Sequence, residues 1–230
     1  MKQIPLFLAI AVFIQSCGTA HQATADSPVP SGGDTTIVQS LFNDKASSIS
    51  EDNIQRLLDG SYQLPAMLRI AVVRLETPQQ RRYYWGDEYF LKAQQSYLDS
   101  FTVRLKTSRR VASVQTVPSI MIATPTFTNI REAAVRMQCN MVLVYSINGD
   151  LYSRVKLFKN DMKAFATTEL LLMDVKTGLI PFSTTVTKDV LTTRAKEDMD
   201  YSQTRDRVLN EAALATINDI GGRIVGFLGE

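Results

Sequence analysis

The stretch that most limits what this chain can fold into is Met141-Val142-Leu143-Val144-Tyr145-Ser146-Ile147. It is apolar almost without a break, yet too short for a helix of ordinary length. A strand with one wet face would alternate polar and apolar residues. This run does not alternate, so it is expected to be a strand buried on both faces, inside a sheet covered by helices. Just before it, residues 129–137 place Ile130, Ala133, Ala134 and Met137 at i, i+3, i+4, i+7, the spacing of a helix with one apolar face. Thr128 is the expected N-cap, and Arg131 stands where a Glu would complete a capping box. Gln138-Cys139-Asn140 then breaks the helix. Two more strand-like runs, 163–175 and 179–194, are joined by the turn Lys176-Thr177-Gly178.

The remaining elements fall on either side. Ser48-Ile49-Ser50-Glu51 fits a capping box, and Ile54, Leu57 and Leu58 supply one apolar face of a short helix ending at Gly60. Residues 68–76 form the first expected strand. Residues 87–107 read as a helix, with Phe90, Leu91, Ala93, Gln94, Tyr97, Leu98, Phe101 and Leu105 broadly at helical spacing. Residues 110–117 form a second strand ended by Pro118, and Ile120-Met121-Ile122 a short further one. A long helix, 202–228, closes the chain. Val208, Ala212, Ala215 and Asp219, with Leu209, Ala213, Thr216, Ile220, Ile224 and Phe227, trace its apolar stripe. Gly221-Gly222 marks either a bend or a close approach. The order is α-β-α-β-α-β-β-β-α. Its crossovers imply parallel neighbours and its later meander antiparallel ones, so the expected class is α/β, a mixed sheet flanked by helices. No internal repeat occurs.

Residues 1–17 read as an export signal. Lys2 supplies the positive start, and residues 4–14 an apolar stretch too short to remain as a membrane span. It ends at Ile14-Gln15-Ser16-Cys17-Gly18. This resembles the bacterial lipobox, with an aliphatic residue three before the Cys and a small one beside it; Gln15 departs from the commonest pattern. If Cys17 carries diacylglycerol and an amide-linked chain, the anchor exceeds the single acyl group that binds membranes only reversibly. An ordinary secretory signal with an incidental Cys17 is the alternative. Residues 18–36, rich in Thr, Ala, Gln, Ser and Pro, read as a flexible tether, followed by one domain over 37–230.

Composition excludes several kinds of chemistry. Of 230 residues 45 % are hydrophobic, so a core can form; the net charge of +2 argues against a nucleic-acid binder. The single histidine, His21, falls in the tether, which removes Ser-His-Asp and Cys-His catalysis and His-ligated zinc from the domain. Cys139, beside a buried strand, reads as a small core residue rather than a nucleophile. No Gly-rich phosphate loop occurs. Glu197-Asp198-Met199-Asp200 reads as a solvated acidic start to the last helix rather than a cation site, and Asp174 as a turn residue bonding its own backbone. No cofactor and no metal site is expected.

The order of elements behind a lipobox resembles a superfamily of periplasmic lipoproteins that includes the curli-secretion protein CsgG, the penicillin-binding-protein activator LpoB and the DUF799 group. The likeness rests on Leu68-Arg69-Ile70-Ala71-Val72-Val73. It rests also on Ala133 and Ala134 leading into Gln138-Cys139-Asn140-Met141-Val142-Leu143, and on Asp174-Val175-Lys176-Thr177-Gly178 after an aliphatic run. It covers about residues 68–227. Relatives often carry Ala-Asp where this chain has Cys139-Asn140. The resemblance implies a non-enzymatic binding or assembly module on a membrane, with a subunit of a CsgG-like secretion complex as the alternative. A carboxylate-dependent cell-wall glycan enzyme is a third class, but no spacing in the sequence singles out its pair of carboxylates. The hairpin such a pore would insert corresponds to residues 151–166. Only about four positions of one face of its first strand are apolar before Lys159-Asn160-Asp161 turns, which suits the edge of a soluble sheet better than a membrane wall.

The expected binding surface is the loop after the first strand, Arg81-Arg82-Tyr83-Tyr84-Trp85, with Tyr89 on the next helix as its neighbour. Arginines beside aromatics suit a protein groove or a sugar polymer such as peptidoglycan. The competing role is structural, with Tyr84 or Trp85 closing the sheet end and Arg81 and Arg82 solvated. The expected address is the cell envelope, facing the periplasm. Gly18, rather than Asp, after the lipidated Cys17 favours the outer membrane. The expected partners are the membrane itself, an envelope protein or peptidoglycan, and a second copy of the chain.

Overall fold

The computed structural model describes residues 35–36, 51–76, 88–122, 124–156, 159–193 and 201–229. The chain divides into Met1–Gly33 and Asp34–Glu230, and all elements below belong to the second unit. They are β1 (Thr35–Thr36), α1 (Glu51–Asp59), β2 (Gly60–Ser61), β3 (Leu68–Leu75), α2 (Glu88–Leu105), β4 (Val111–Thr116) and a 3-10 turn at Ser119–Met121. Then follow α3 (Phe127–Arg136), β5 (Met141–Lys156), β6 (Lys159–Asp174), β7 (Phe182–Thr193) and α4 (Tyr201–Leu228). The stubs β1 and β2 pair in parallel. The main sheet runs β4-β3-β5-β6-β7. β3 is parallel to both β4 and β5, and the β5-β6-β7 meander is antiparallel. The mixed α/β class expected from the pattern is the one observed.

The sheet's alternation sorts its side chains between two cores. Leu68, Ile70 and Val72 of β3, with Met141, Leu143 and Tyr145 of β5, face Phe101 and Leu105 of α2 and Ile217, Ile220 and Ile224 of α4. Ala71, Val73, Val142 and Val144 face the opposite way, onto Ile130, Ala133 and Ala134 of α3. The run from Met141 to Tyr145 is therefore buried on both sides, and each such side chain contributes about 1.5–3 kcal/mol by leaving water. Cys139 lies in the second core, its thiol held up by burial. Thr168 of β6 and Thr216 of α4, both fully buried, hydrogen-bond each other across the first.

The joint between α3 and β5 shows how the break works. Thr126, not Thr128, is the N-cap, and its hydroxyl accepts from the Asn129 N–H at 3.2 Å. The helix starts one residue later, at Phe127. At its far end Gln138 adopts a left-handed φ of 56°, and the Cys139 N–H returns to the Ala134 carbonyl, closing a Schellman-type turn. Asn140 then ties β5 to β3: its Oδ1 accepts from the Arg69 N–H at 2.8 Å and its Nδ2 donates to the Met67 carbonyl at 2.7 Å. An Asp here could accept but not donate.

Several expectations need correction. Ile120-Met121-Ile122 is no strand: the Met121 and Ile122 N–H groups bond three residues back, to Pro118 and Ser119, in a 3-10 turn. Lys159, Asn160 and Asp161 lie within β6, paired with Lys156, Val155 and Arg154, so the reversal falls between Lys156 and Lys159. Of that hairpin, β6 is covered by β7 from Asp161 to Leu172, while β5 beyond Ser146 has no strand beside it on its other side. α1 forms, but Ile54 is 37 % and Leu58 75 % exposed while Asn53 is buried, so the expected apolar face is not covered by a described element. Leu91 of α2 faces solvent. On α4, Asp219 lies off the buried stripe, where it pairs with Lys188 at 2.7 Å and Arg223 at 2.7 Å.

The adjacent glycines of α4 differ. A Cβ on Gly221 would come 2.8 Å from Cγ and 3.0 Å from Cβ of Arg104, so α2 and α4 touch there; at Gly222 nothing lies within 4 Å. Gly222→Ala should therefore stabilise the domain by about 0.5–1 kcal/mol through helix propensity. Gly221→Ala should lose that gain to overpacking, which costs about 1–3 kcal/mol. Urea titration of both variants checks this, and equal stabilisation by the two would contradict the close approach.

Candidate functional site

A cavity of about 210 Å3 opens beyond the carboxyl end of β3, between α2, α4 and the part of β5 that runs past β3. β3 pairs with β5 only as far as Leu75 opposite Ser146, whereas β5 continues to Lys156. The missing strand neighbour leaves this space. Its floor is Ile147, Gly149 and Ala166; α2 contributes Tyr89, Phe90, Ala93 and Tyr97, and α4 contributes Arg205, Asp206, Leu209, Asn210 and Ala213.

Arg74 enters from the last turn of the β3 pleat. Alternation sends it to the α2 and α4 side, after Ile70 and Val72, where the apolar layer ends. Its guanidinium lies 5.3 Å from the Phe90 ring centroid and 5.8 Å from that of Tyr97. Glu76 balances part of the charge, its Oε1 3.9 Å from Arg74 Nε and itself held by Gln94 Nε2 at 2.9 Å. Among the described residues, the buried Nε and Nη1 of Arg74 have no hydrogen-bond acceptor, and Asn210 Oδ1 has no donor. Such groups cost about 1–3 kcal/mol each if left unmet, so they mark where a bound molecule or solvent belongs. Burial pushes the Tyr97 phenol up to about 12 against the pull of Arg74, so it remains a neutral donor.

Of the residues singled out from the sequence, Tyr89 is on the first turn of α2, 36 % exposed, and lines this cavity. Cys17, His21, Arg81, Arg82, Tyr84, Trp85, the Ser48–Ser50 cap and Glu197 to Asp200 lie outside the described residues. Sequence reasoning missed Arg74 and Asn210. The one available signal was a cation one residue before the end of an otherwise apolar strand. Asp174 does bond its own turn, with Oδ1 accepting from the N–H groups of Lys176 at 2.7 Å and Thr177 at 2.9 Å. Its second partner, the Tyr62 hydroxyl at 2.9 Å, was not foreseen. Among the described residues no group of three His, Cys, Asp or Glu side chains is placed to hold a metal ion, and no helix is long and apolar enough to cross a membrane.

No protein-family model matches the chain, and no curated protein matches it. Among solved structures, it is similar to the hypothetical protein CT253 of Chlamydia trachomatis at 14 % identity and a TM-score of 0.41, over 71 % of this chain and 99 % of that one. A candidate lipoprotein of Caulobacter crescentus gives 13 % and 0.41 over 69 % and 89 %. Lipoprotein GNA1162 of Neisseria meningitidis gives 14 % and 0.33 over 67 % and 99 %. At such TM-scores these likenesses carry no argument about this chain.

Proposed function

We propose that the chain is an envelope lipoprotein, anchored through lipid on Cys17 and facing the periplasm, that acts as a non-enzymatic binding module. The address rests on the order of Lys2, the apolar stretch 4–14 and Ile14-Gln15-Ser16-Cys17. The binding role rests on one observation above all: the cavity beyond β3, where Arg74 and Asn210 present buried polar atoms with no partner among the described residues. The segment carrying Arg81, Arg82, Tyr84 and Trp85 joins β3 to α2, the two elements that bring Arg74 and Tyr89 to that cavity. Its arginines and aromatics suit an envelope protein or peptidoglycan as partner. Gly18 after Cys17 favours the outer membrane. A subunit of a secretion pore is the second reading. It requires the β5-β6 hairpin to leave the sheet, yet Ala164 and Ala166 of β6 are buried in the same core as Val208 and Ala212 of α4.

In cells fed a labelled fatty acid, the wild-type chain should take up label and sediment with membranes. Cys17→Ala should take up none, while its domain melts at the wild-type temperature. Equal labelling of the two would end the lipoprotein reading.

A further inference from the structure

We infer that the cavity beyond β3 takes the carboxylate end of an amino acid or peptide: a carboxylate on Arg74, the adjacent nitrogen on Asn210, and a modest apolar side chain against the cavity wall. This rests on reading the cavity as a binding site and names what it binds.

The unmet groups select the ligand. Arg74 offers N–H donors that face no acceptor, from a side chain only 14 % exposed and set against two aromatic rings. The two unmet nitrogens lie on different edges of the planar guanidinium, so a carboxylate oxygen meets this cation through Nη1, a charge-assisted hydrogen bond. Glu76, at 3.9 Å from Nε, lies beyond hydrogen-bond reach and leaves Nη1 unmet. Asn210 Oδ1 needs the opposite partner, a donor. A bare anion would meet Arg74 Nη1 and leave Asn210 unmet; a bare amine would do the reverse. A carboxylate with nitrogen on the neighbouring carbon brings an acceptor and a donor in one small molecule. Between these groups the wall is apolar, made by Phe90, Ala93, Ile147 and Leu209. The space of about 210 Å3 equals about seven waters at about 30 Å3 each, which suits a single residue.

The test uses the full chain in detergent, with calorimetry and thermal shift as readouts. The probes are L-leucine, leucinamide, a tripeptide ending in leucine, and inorganic phosphate. Leucine or the tripeptide should bind saturably, and leucinamide, lacking the carboxylate, at least about tenfold more weakly. Arg74→Lys, which keeps the charge but loses the planar guanidinium, and Asn210→Leu should each weaken binding about tenfold, with the circular dichroism spectrum unchanged. A tighter tripeptide assigns the site to peptide ends; a tighter free leucine assigns it to amino acids. Leucinamide binding as well as leucine would overturn the carboxylate assignment. Phosphate alone binding, and lost in Arg74→Lys, would keep the cavity as a binding site and overturn this ligand class. No heat from any probe at millimolar concentration would leave the cavity to solvent and overturn both readings.

Discussion

Asp174→Ala should lower the melting temperature of the domain by roughly 8–16 °C, the largest loss expected from any single polar change. The carboxylate is 4 % exposed and closes three links at once. Oδ1 accepts from the Lys176 and Thr177 N–H groups, holding the turn in which Gly178 takes a φ of 78°. Oδ2 accepts from Tyr62, a residue 112 positions earlier, and so brings the segment between β2 and β3 to the end of the sheet. Arg131 completes the arrangement, donating from Nε and Nη2 to the Val175 carbonyl at 3.0 and 2.8 Å. Burial holds the Arg131 pKa below its usual value, and the Asp174 charge opposes that shift. Alanine would leave two backbone donors and a phenol without their acceptor, at a cost of about 4 kcal/mol in all. In a domain of this size each kcal/mol moves the midpoint by about 2–4 °C. Asp174→Asn should cost about half as much, because its amide oxygen can still serve the turn while its nitrogen donates to Tyr62. Thermal denaturation followed by circular dichroism decides it. An alanine variant melting within about 2 °C of wild type would show that the turn holds without its carboxylate.

The domain should also unfold in alkali, between about pH 11 and pH 12. Burial pushes Tyr145 up to about 12, with Arg74 pulling the other way and Glu76 adding to the rise. Tyr97 is likewise raised to about 12, chiefly by burial. Tyr62 is raised further, first by burial and then by the charge and hydrogen bond of Asp174. The sign follows from linkage. A phenol with its folded pKa above the unfolded value near 10 favours the folded state while protonated. That contribution is complete below about pH 10 and is lost as pH rises through the folded value. Two units correspond to about 2.7 kcal/mol for each of Tyr97 and Tyr145, and their sum is comparable with the whole stability of a typical domain. Phenolate absorbance and circular dichroism should therefore change together. Tyr145→Phe should move the transition to higher pH, provided the packing against Phe101, whose ring centroid is 4.8 Å away, is kept. Ionisation of every tyrosine near pH 10 in a chain that stays folded would contradict the burial on which this depends.

What the sequence by itself determined is whatever depends on near neighbours in the chain. The period of apolar residues announced β3, β5, α2, α3 and α4, because a strand repeats every two residues and a helix every 3.6 wherever one face must be dry. The unbroken run at Met141 to Tyr145 placed β5 between two helical layers, and it is buried on both faces. The Asp174 turn was legible too, since its bonds to Lys176 and Thr177 are local. Tertiary structure decided the rest. The apolar face of α1 satisfied the periodic rule, yet Leu58 remains 75 % exposed, because periodicity says which face can be buried and not whether anything lies against it. The β5-β6 hairpin is an edge on its β5 side beyond Ser146 and is paired by β7 on its β6 side, and where β3 stops along β5 is set between distant residues. The cavity is the clearest case. Arg74, Tyr89, Gly149 and Asn210 stand on four separate elements and form no motif. They meet only because β5 outruns β3 while α2 and α4 close over the gap, and chain-local patterning carries no record of where one strand stops beside another.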